Sequence, residues 1–341
     1  MTSVTSKDVA RRAGVSQSAV SRTFTPGASV SKRMAERVHR AAEELDYRPN
    51  SLARGLITGR SRIIGLVVAY LDNQFYPMAI ERLSVALQEK GYHTMIFMAP
   101  SVETSLDEIT GDILDYRVDG IVMASVAISG TLAARCEAAG IPVVLFNRSQ
   151  RGRTLSSVTS DNVAGGRKVA ELLVACGHRR IAHIAGWSGS STGQDREAGL
   201  RAGLAKHEQS LFACVRGDYD REIAMQVTRD LFARCEVPDA IFVGNDHMAF
   251  GVLDVLRVEL GLRVPEDVAV VGYDDTPVAR WAAYDLSTVR QRPALMVDAT
   301  VDALLAKIER GRTTPVRVRI DCELIQRSTT RLPISPVSNT A

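Results

Sequence analysis

The chain has 341 residues, 45% of them apolar and 24% charged, which is enough for more than one domain and a sizeable buried core. No apolar run approaches the roughly 18 residues of a membrane span. The polar opening Met1-Thr2-Ser3-Val4-Thr5-Ser6 lacks a signal-peptide core, so a cytoplasmic chain is expected. The net charge of +3 conceals an asymmetry. Residues 1–60 carry eleven Lys and Arg against five Asp and Glu, while the remainder is mildly acidic. A polyanion partner is therefore implied for the head alone. A solvated basic tail is the alternative, and the apolar periodicity of the head argues against it.

Five scattered cysteines, Cys136, Cys176, Cys214, Cys235 and Cys322, include no CxxC and indicate reduced thiols, not a disulfide framework or zinc cluster. The histidines form no HExxH, and His178 and His183 read as structural. Gly165-Gly166, Gly186 and Gly189 do not make a GxGxxG after a strand. Neither GxxxxGKS, GxxxxGKT nor GxSxG occurs. No cofactor, metal or catalytic residue is expected.

In chain order, Thr5 opens a first helix with Asp8 as its capping-box partner, and Val9, Ala10 and Ala13 form its apolar face. Gly14 suits a tight turn, and Ser16 can cap a second helix. On that helix Gln17, Ser18, Ser21 and Arg22 fall within about 140° of arc, with Val20 and Thr23 opposite. Such a face suits a major groove: Gln pairs with adenine, Arg with guanine, Ser with a phosphate or either base. It is equally the composition of an exposed polar helix face. Pro26-Gly27 breaks the chain, and Ser31 can cap a third helix to about Leu45. Its core stripe is Met34, Val38, Ala41, Ala42 and Leu45, dressed by Lys32, Arg33, Arg37 and Arg40.

These segments resemble the LacI/GalR family of bacterial transcription regulators. The resemblance is carried by DVARRAGVS with a following VSR, by VS with a later RV, and by DYRPNSLARGL. It implies that Gln17, Ser18 and Arg22 read bases, with Thr5, Ser16, Ser21 and Ser31 completing the contacts. It further implies that Asn50–Ile57 form a hinge helix that orders on operator DNA. There Ala53 permits close approach and Leu56 wedges a base step from the minor groove. A plain core residue of a linker helix is the alternative for Leu56. Ser6, where an apolar residue is usual, and Thr23-Phe24-Thr25 depart from the family's common pattern.

From Ile63 the pattern changes. The runs Ile63–Ala69, Thr94–Ala99, Gly120–Ala124, Pro142–Phe146, Ile181–Ala185, Ala240–Val243 and Val268–Val271 alternate with helical stretches. Near-continuous apolar strands of this kind signify parallel sheets covered on both faces. Their number suggests two doubly wound α/β halves joined near Ser160-Asp161-Asn162, with Val316–Ile325 returning to the first as a strand. Ligands of such sheets bind beyond the carboxyl ends of the strands, where polar groups cluster here.

The body also resembles the family, whose fold is two-lobed like periplasmic sugar-binding proteins. The implied division is a helix-turn-helix domain 1–47, a hinge 48–60, lobe one 61–160 with 292–327, lobe two 161–291, and a tail 328–341. An effector site is expected at Asn73, Phe75, Ser125, Asn147, Thr192, Arg196, Tyr219, Asn245 and Asp274. By resemblance, Arg196, Asn245 and Asp274 hold hydroxyls or charges, and Tyr219 and Phe75 stack on the ligand. Strand-end capping and lobe–lobe contact are the alternatives, preferred for Asp275 and Asn162. Arg148 suits a carboxylate or faces solvent. The tail lacks the leucine heptad of tetrameric members, which favours a homodimer. The expected function is an effector-controlled repressor on near-palindromic operator DNA. A free-standing solute-binding protein or α/β enzyme is the alternative.

Overall fold

The structure, a computed structural model, describes residues 4–25, 28–48, 60–99, 111, 113–124, 135–150 and 155–333. It divides into two compact units, one ending at Arg62 and one beginning at Ile63.

In the first unit, α1 (Ser6–Ala13), α2 (Gln17–Thr23) and α3 (Lys32–Glu44) surround a core of Val9, Ala10, Ala13, Val20, Val38, Ala41 and Ala42. Thr5 donates its backbone N–H and its hydroxyl to Asp8 at 3.0 and 2.7 Å. Ser16 and Ser31 accept from Ala19 N–H and Met34 N–H, so each helix start satisfies an otherwise orphaned donor. Gly14 ends α1 in the left-handed region, φ 61°. Arg37, from α3, donates to the Ala13 and Gly14 carbonyls and so ties the turn to the third helix. Phe24, in the departing Thr23-Phe24-Thr25 segment, packs edge-on against His39 with ring centroids 5.2 Å apart.

In the second unit the strands are β1 (Ile63–Val68), β2 (His93–Met98), β3 (Gly120–Ala124), β4 (Val143–Phe146), β5 (Ser156–Ser160), β6 (Ile181–Ala185), β7 (Ala213–Arg216), β8 (Ala240–Val243), β9 (Ala269–Asp274), β10 (Ser287–Arg290), β11 (Arg317–Ile320) and β12 (Glu323–Ile325). They form two six-stranded sheets, ordered β11-β5-β4-β3-β1-β2 and β12-β10-β9-β8-β6-β7. The first is wholly parallel, and only β12 runs antiparallel in the second. Both halves therefore repeat one winding, and in both the order reverses beside the first strand, at β1 and β6. Those reversals open a crevice at the carboxyl ends of the strands.

Among the described strands, β5, β7 and β10 fall outside the expected runs. In β5, Ser156-Ser157-Val158-Thr159-Ser160, every residue is buried, and its hydroxyls are used: Ser156 accepts from Val316 N–H and Ser160 donates to Gln291. Strands β7 and β10 are likewise short and mixed.

The return segment corrects the expected division. Val316–Ile325 is two strands in two sheets: β11 pairs with β5 in lobe one, and β12 pairs with β10 in lobe two. Asp321-Cys322 breaks the alternation. Cys322 is buried in the lobe-two core, and Lys168 grips Asp321 at 3.2 Å and the Cys322 carbonyl. The chain thus crosses between lobes after β5, after β10 and after β11, so residues 321–327 lie with lobe two. The expected tail is also partly core: Thr329 is buried, accepts from Val270 N–H and donates to the Val270 carbonyl. Among the described residues, no helix is long and apolar enough to cross a membrane.

Candidate functional site

On α2, Ala19 and Val20 are buried, while Gln17, Ser18, Ser21 and Arg22 are exposed. The predicted polar face is therefore outward. Its groups are lightly engaged: Gln17 donates to Ser6 Oγ at 2.9 Å, and the Ser16 and Ser18 hydroxyls lie 2.9 Å apart. Ser6, the second departure from the family pattern, thus orients the first residue of the face. Asn50, Ala53, Leu56 and the hinge residues 49–59 lie outside the described residues, as does Ser125.

In the second unit, polar side chains converge at the carboxyl ends of both sheets. The helices that carry or border them are α4 (Phe75–Glu89), α5 (Asn162–Ala175), α6 (Ser191–Ala205), α7 (Arg221–Phe232), α8 (Asp246–Asp254) and α9 (Pro293–Arg310). Asp274, the last residue of β9, is the node. It accepts from Asn73 Nδ2 of lobe one (3.3 Å) and from Gln291 Nε2 on the crossing segment (2.7 Å), and faces Arg196 Nη2 at 3.6 Å. Gln291 in turn accepts from Ser160, beside the first crossing. One hydrogen-bonded path therefore joins both lobes to two of the crossings.

Arg196 is buried and held rigidly. Its Nε donates to Asn162 Oδ1 at 2.9 Å, its Nη1 to the Gly244 carbonyl at 2.6 Å, and its guanidinium lies 3.6 Å above the Tyr273 ring. Burial raises the Asp274 carboxyl above the usual carboxylate range, with Arg196 opposing that rise. Asp246, one residue past the cap of α8, is pushed up to about 8 by burial and by neighbouring Asp274. Asp275 goes the other way despite burial: Arg290, Arg327 and Arg280 surround it at 2.6, 2.6 and 3.0 Å and hold it low. Its part is structural, and Asn162 positions Arg196.

The aromatic floor differs from expectation. Phe75 is 0% exposed, stacked on Phe146 in the lobe-one core, because the first turn of α4 points it inward. Its backbone N–H instead fixes Asn73 Oδ1 at 3.1 Å. Tyr70, which packs against apolar clusters of both lobes, and Tyr76 supply rings near the cleft, with centroids 5.5 Å apart. From lobe two comes Tyr219, in the left-handed region at φ 64°. A Cβ on Gly186 would lie 2.1 Å from its ring, and one on Gly193 2.8 Å from its hydroxyl. Those glycines make room for an aromatic ring, which explains a glycine pattern that fits no phosphate loop.

Arg148 and Thr192 meet across the lobes, Nη1 to Oγ1 at 2.6 Å, and the bonding continues through Ser190 to Tyr219 at 3.0 and 3.1 Å. Asn147, at φ 54°, and Asn245, which caps α8 by accepting from Met248 N–H, each retain a buried atom without a partner: Oδ1 and Nδ2. Sequence reasoning did not single out Tyr70, Ser190 or Gln291. Tyr70 directly follows the apolar run Ile63–Ala69 and was findable by the strand-end rule. Gln291 matters only because the chain crosses there.

A capped recognition helix and a two-lobed α/β body with a polar cleft define a ligand-responsive DNA-binding protein. The profile of bacterial regulatory proteins of the lacI family matches residues 5–50, and that of the periplasmic binding protein-like domain matches residues 170–330. The chain is 34% identical to the HTH-type transcriptional regulator CelR of Thermobifida fusca, covering 94% of this chain and 96% of that one. It is 29% identical to the probable HTH-type transcriptional repressor ExuR of Bacillus subtilis, over 96% and 98% of the two chains. Among solved structures, a lac repressor dimer bound to operator and the anti-inducer ONPF aligns with TM-score 0.86 at 30% identity, over 96% of this chain and 99% of that one. A CelR–cellobiose complex aligns with TM-score 0.74 at 32% identity, over 96% and 99%. The chain belongs to the lacI family. It is a DNA-binding transcription regulator controlled by a small-molecule effector, and its relatives are named as transcription regulators and repressors.

Proposed function

We propose that this protein is a homodimeric, cytoplasmic and nucleoid-associated repressor of a near-palindromic operator, controlled by a sugar or sugar acid bound between its lobes. Gln17, Ser18 and Arg22 read bases in the major groove, Thr5, Ser16, Ser21 and Ser31 help seat the helices, and Asn50, Ala53 and Leu56 act from the hinge. Relatives solved with operator, anti-inducer and cellobiose support the assignment of partners.

The observation that carries the reading is the path Asn73–Asp274–Gln291–Ser160. Its members contact the cleft and the crossing segments at once. A ligand competing for Asn73 or Asp274 shifts the balance between open and closed lobes by its differential affinity for them. Such coupling typically amounts to about 1–3 kcal/mol. Effector hydroxyls would meet Asn73, Asn147, Thr192, Arg196, Asn245 and Asp274, with Ser125 a further candidate on sequence grounds and Tyr219 as the ring. The test is a titration of full-length protein against selected operator DNA, with and without each small-molecule hit from a thermal-shift screen. Ligands that bind the body yet leave operator affinity unchanged would sink the coupling. A failure to select any DNA sequence would sink the regulator reading itself.

A further inference from the structure

We infer that Arg148 determines the cleft's specificity, and that the effector carries an anionic group, a carboxylate or phosphate ester, seated between Arg148 and the N-terminus of α6. This inference rests on the cleft being the effector site.

The guanidinium is the odd member of the cleft. Arg148 is 6% exposed, yet among the described residues no carboxylate lies within ion-pairing distance of it, whereas Arg196 has Asp274. Its Nη1 donates only to neutral oxygens, the Asn147 carbonyl at 3.2 Å and Thr192 Oγ1 at 2.6 Å. Its Nε is buried without a hydrogen-bond partner. A buried, unpaired charge is costly unless something else compensates it.

Its surroundings sharpen the point. Thr192 lies in the first turn of a fifteen-residue helix, where Ser190 Oγ accepts from Gly193 N–H and the end as a whole is positive. A cation pressed against that end is electrostatically misplaced. An anion between the two converts both into favourable partners. Asp274 favours the Arg148 charge electrostatically, but among the described residues it forms its ion pair with Arg196 and not with Arg148. Arg196 offsets Asp274, and Asp246, pushed up to about 8, is largely protonated at neutral pH. One positive charge remains for the ligand. The unpartnered Asn147 Oδ1 and Asn245 Nδ2 are an acceptor and a donor suited to ligand hydroxyls. The Tyr219 ring, whose centroid is 5.7 Å from the guanidinium carbon, leaves Arg148 limited freedom to swing away.

The experiment uses the full-length protein and matched probes in calorimetric titration: galactose against galacturonate, and glucose against gluconate and glucose 6-phosphate. Malonate is compared with chloride of equal ionic strength in thermal melts. At least one acid should bind more tightly than its neutral partner, and malonate should raise the melting temperature above the chloride control. R148M should weaken acid binding about tenfold to hundredfold, the range expected for a charge-assisted hydrogen-bonded pair, and abolish the malonate effect. R148K, which keeps the charge, should retain the acid preference at lower affinity, and stands in should R148M fold poorly. Tighter binding of the neutral partners, or acid binding that survives R148M unchanged, overturns the assignment, as does a wild type that takes none of the acids. An acid that binds through Arg148 but leaves operator affinity unaltered supports the anion site and defeats the regulatory reading. A neutral sugar that binds and alters operator affinity does the reverse.

Discussion

On α2, Gln17, Ser18, Ser21 and Arg22 stand in solvent on a face kept outward by two buried alanine and valine neighbours. In the body, Asn73, Arg196, Asp274 and Gln291 are buried, and their polar atoms bond to one another and to neighbouring protein groups instead of water. The side-chain chemistry is similar and the energetics are opposite. The helix keeps polar groups available at little cost to folding, since water already satisfies them. The cleft must satisfy most of its groups internally, because an orphaned buried charge costs far more than a hydrogen bond returns, and the atoms it leaves open, such as Arg148 Nε, await a ligand. Substitution should therefore damage recognition alone in the first region, and folding together with recognition in the second.

The largest effect should come from Arg196→Ala. It removes bonds to Asn162 and the Gly244 carbonyl and leaves the Asp274 carboxyl buried without its cation. Breaking one partner of a buried pair typically costs about 3–5 kcal/mol. A urea titration of the body's unfolding should show that loss. A midpoint within a few tenths of wild type would mean that the cleft is far more hydrated than its burial implies.

Acid should separate the regions next. His183 is buried against the Phe242 carbonyl and ring, and burial pushes its pKa down to about 4. Its unfolded-state value is near 6.5, so between those values the unfolded chain binds the extra proton. Stability present above about pH 6.5 is lost as pH falls towards 4, by about 3 kcal/mol in all. His183→Gln should remove that slope, so wild type loses about this much relative to the variant between pH 7 and pH 4. Asp246 has the opposite sign: raised to about 8, it lowers stability as pH rises from about 4 to 8, and Asp246→Asn should flatten that limb. Parallel pH profiles for wild type and variants would show both groups to be solvated.

Which parts were legible in advance follows the same division. The head depends on local signals: a capping residue, a turn glycine and a 3.6-residue period over about twenty positions. Ser16, Ser31 and Val38 were all readable because each acts within one or two turns. In the body, apolar runs announced seven strands, but β5 is buried through hydroxyls that find partners 131 and 160 residues away, which no local pattern encodes. The split of Val316–Ile325 turned on two residues, Asp321 and Cys322, anchored by a lysine 153 positions earlier. Phe75 was misjudged for a related reason. An aromatic after a strand end can face the cleft or the core, and the helix phase of α4 decides which.

For the head, Arg22→Ala should leave folding intact and cost roughly 1–3 kcal/mol of specific binding, relaxing preference at one half-site position. A binding-site selection read by sequencing is the measure. Uniform weakening across all sequences, with a shallower salt dependence, would reassign Arg22 to a phosphate contact.

Ser16 offers the finest separation of folding from recognition, because one hydroxyl is expected to serve both. It accepts from Ala19 N–H at 3.2 Å, capping α2, and lies 2.9 Å from Ser18 Oγ on the polar face. Ser16→Ala should cost about 1 kcal/mol of local stability through the lost cap. Amide exchange at Ala19 in the full-length protein should report it as roughly fivefold faster opening. Ser16→Asp keeps an acceptor for the same amide and complements the helix dipole, so protection at Ala19 should return. The new charge would face phosphates, and operator affinity should fall below that of the alanine variant. If Ser16→Asp binds operator as wild type does, the hydroxyl is a cap and nothing more, and the DNA contact belongs to Gln17, Ser18 and Arg22 alone.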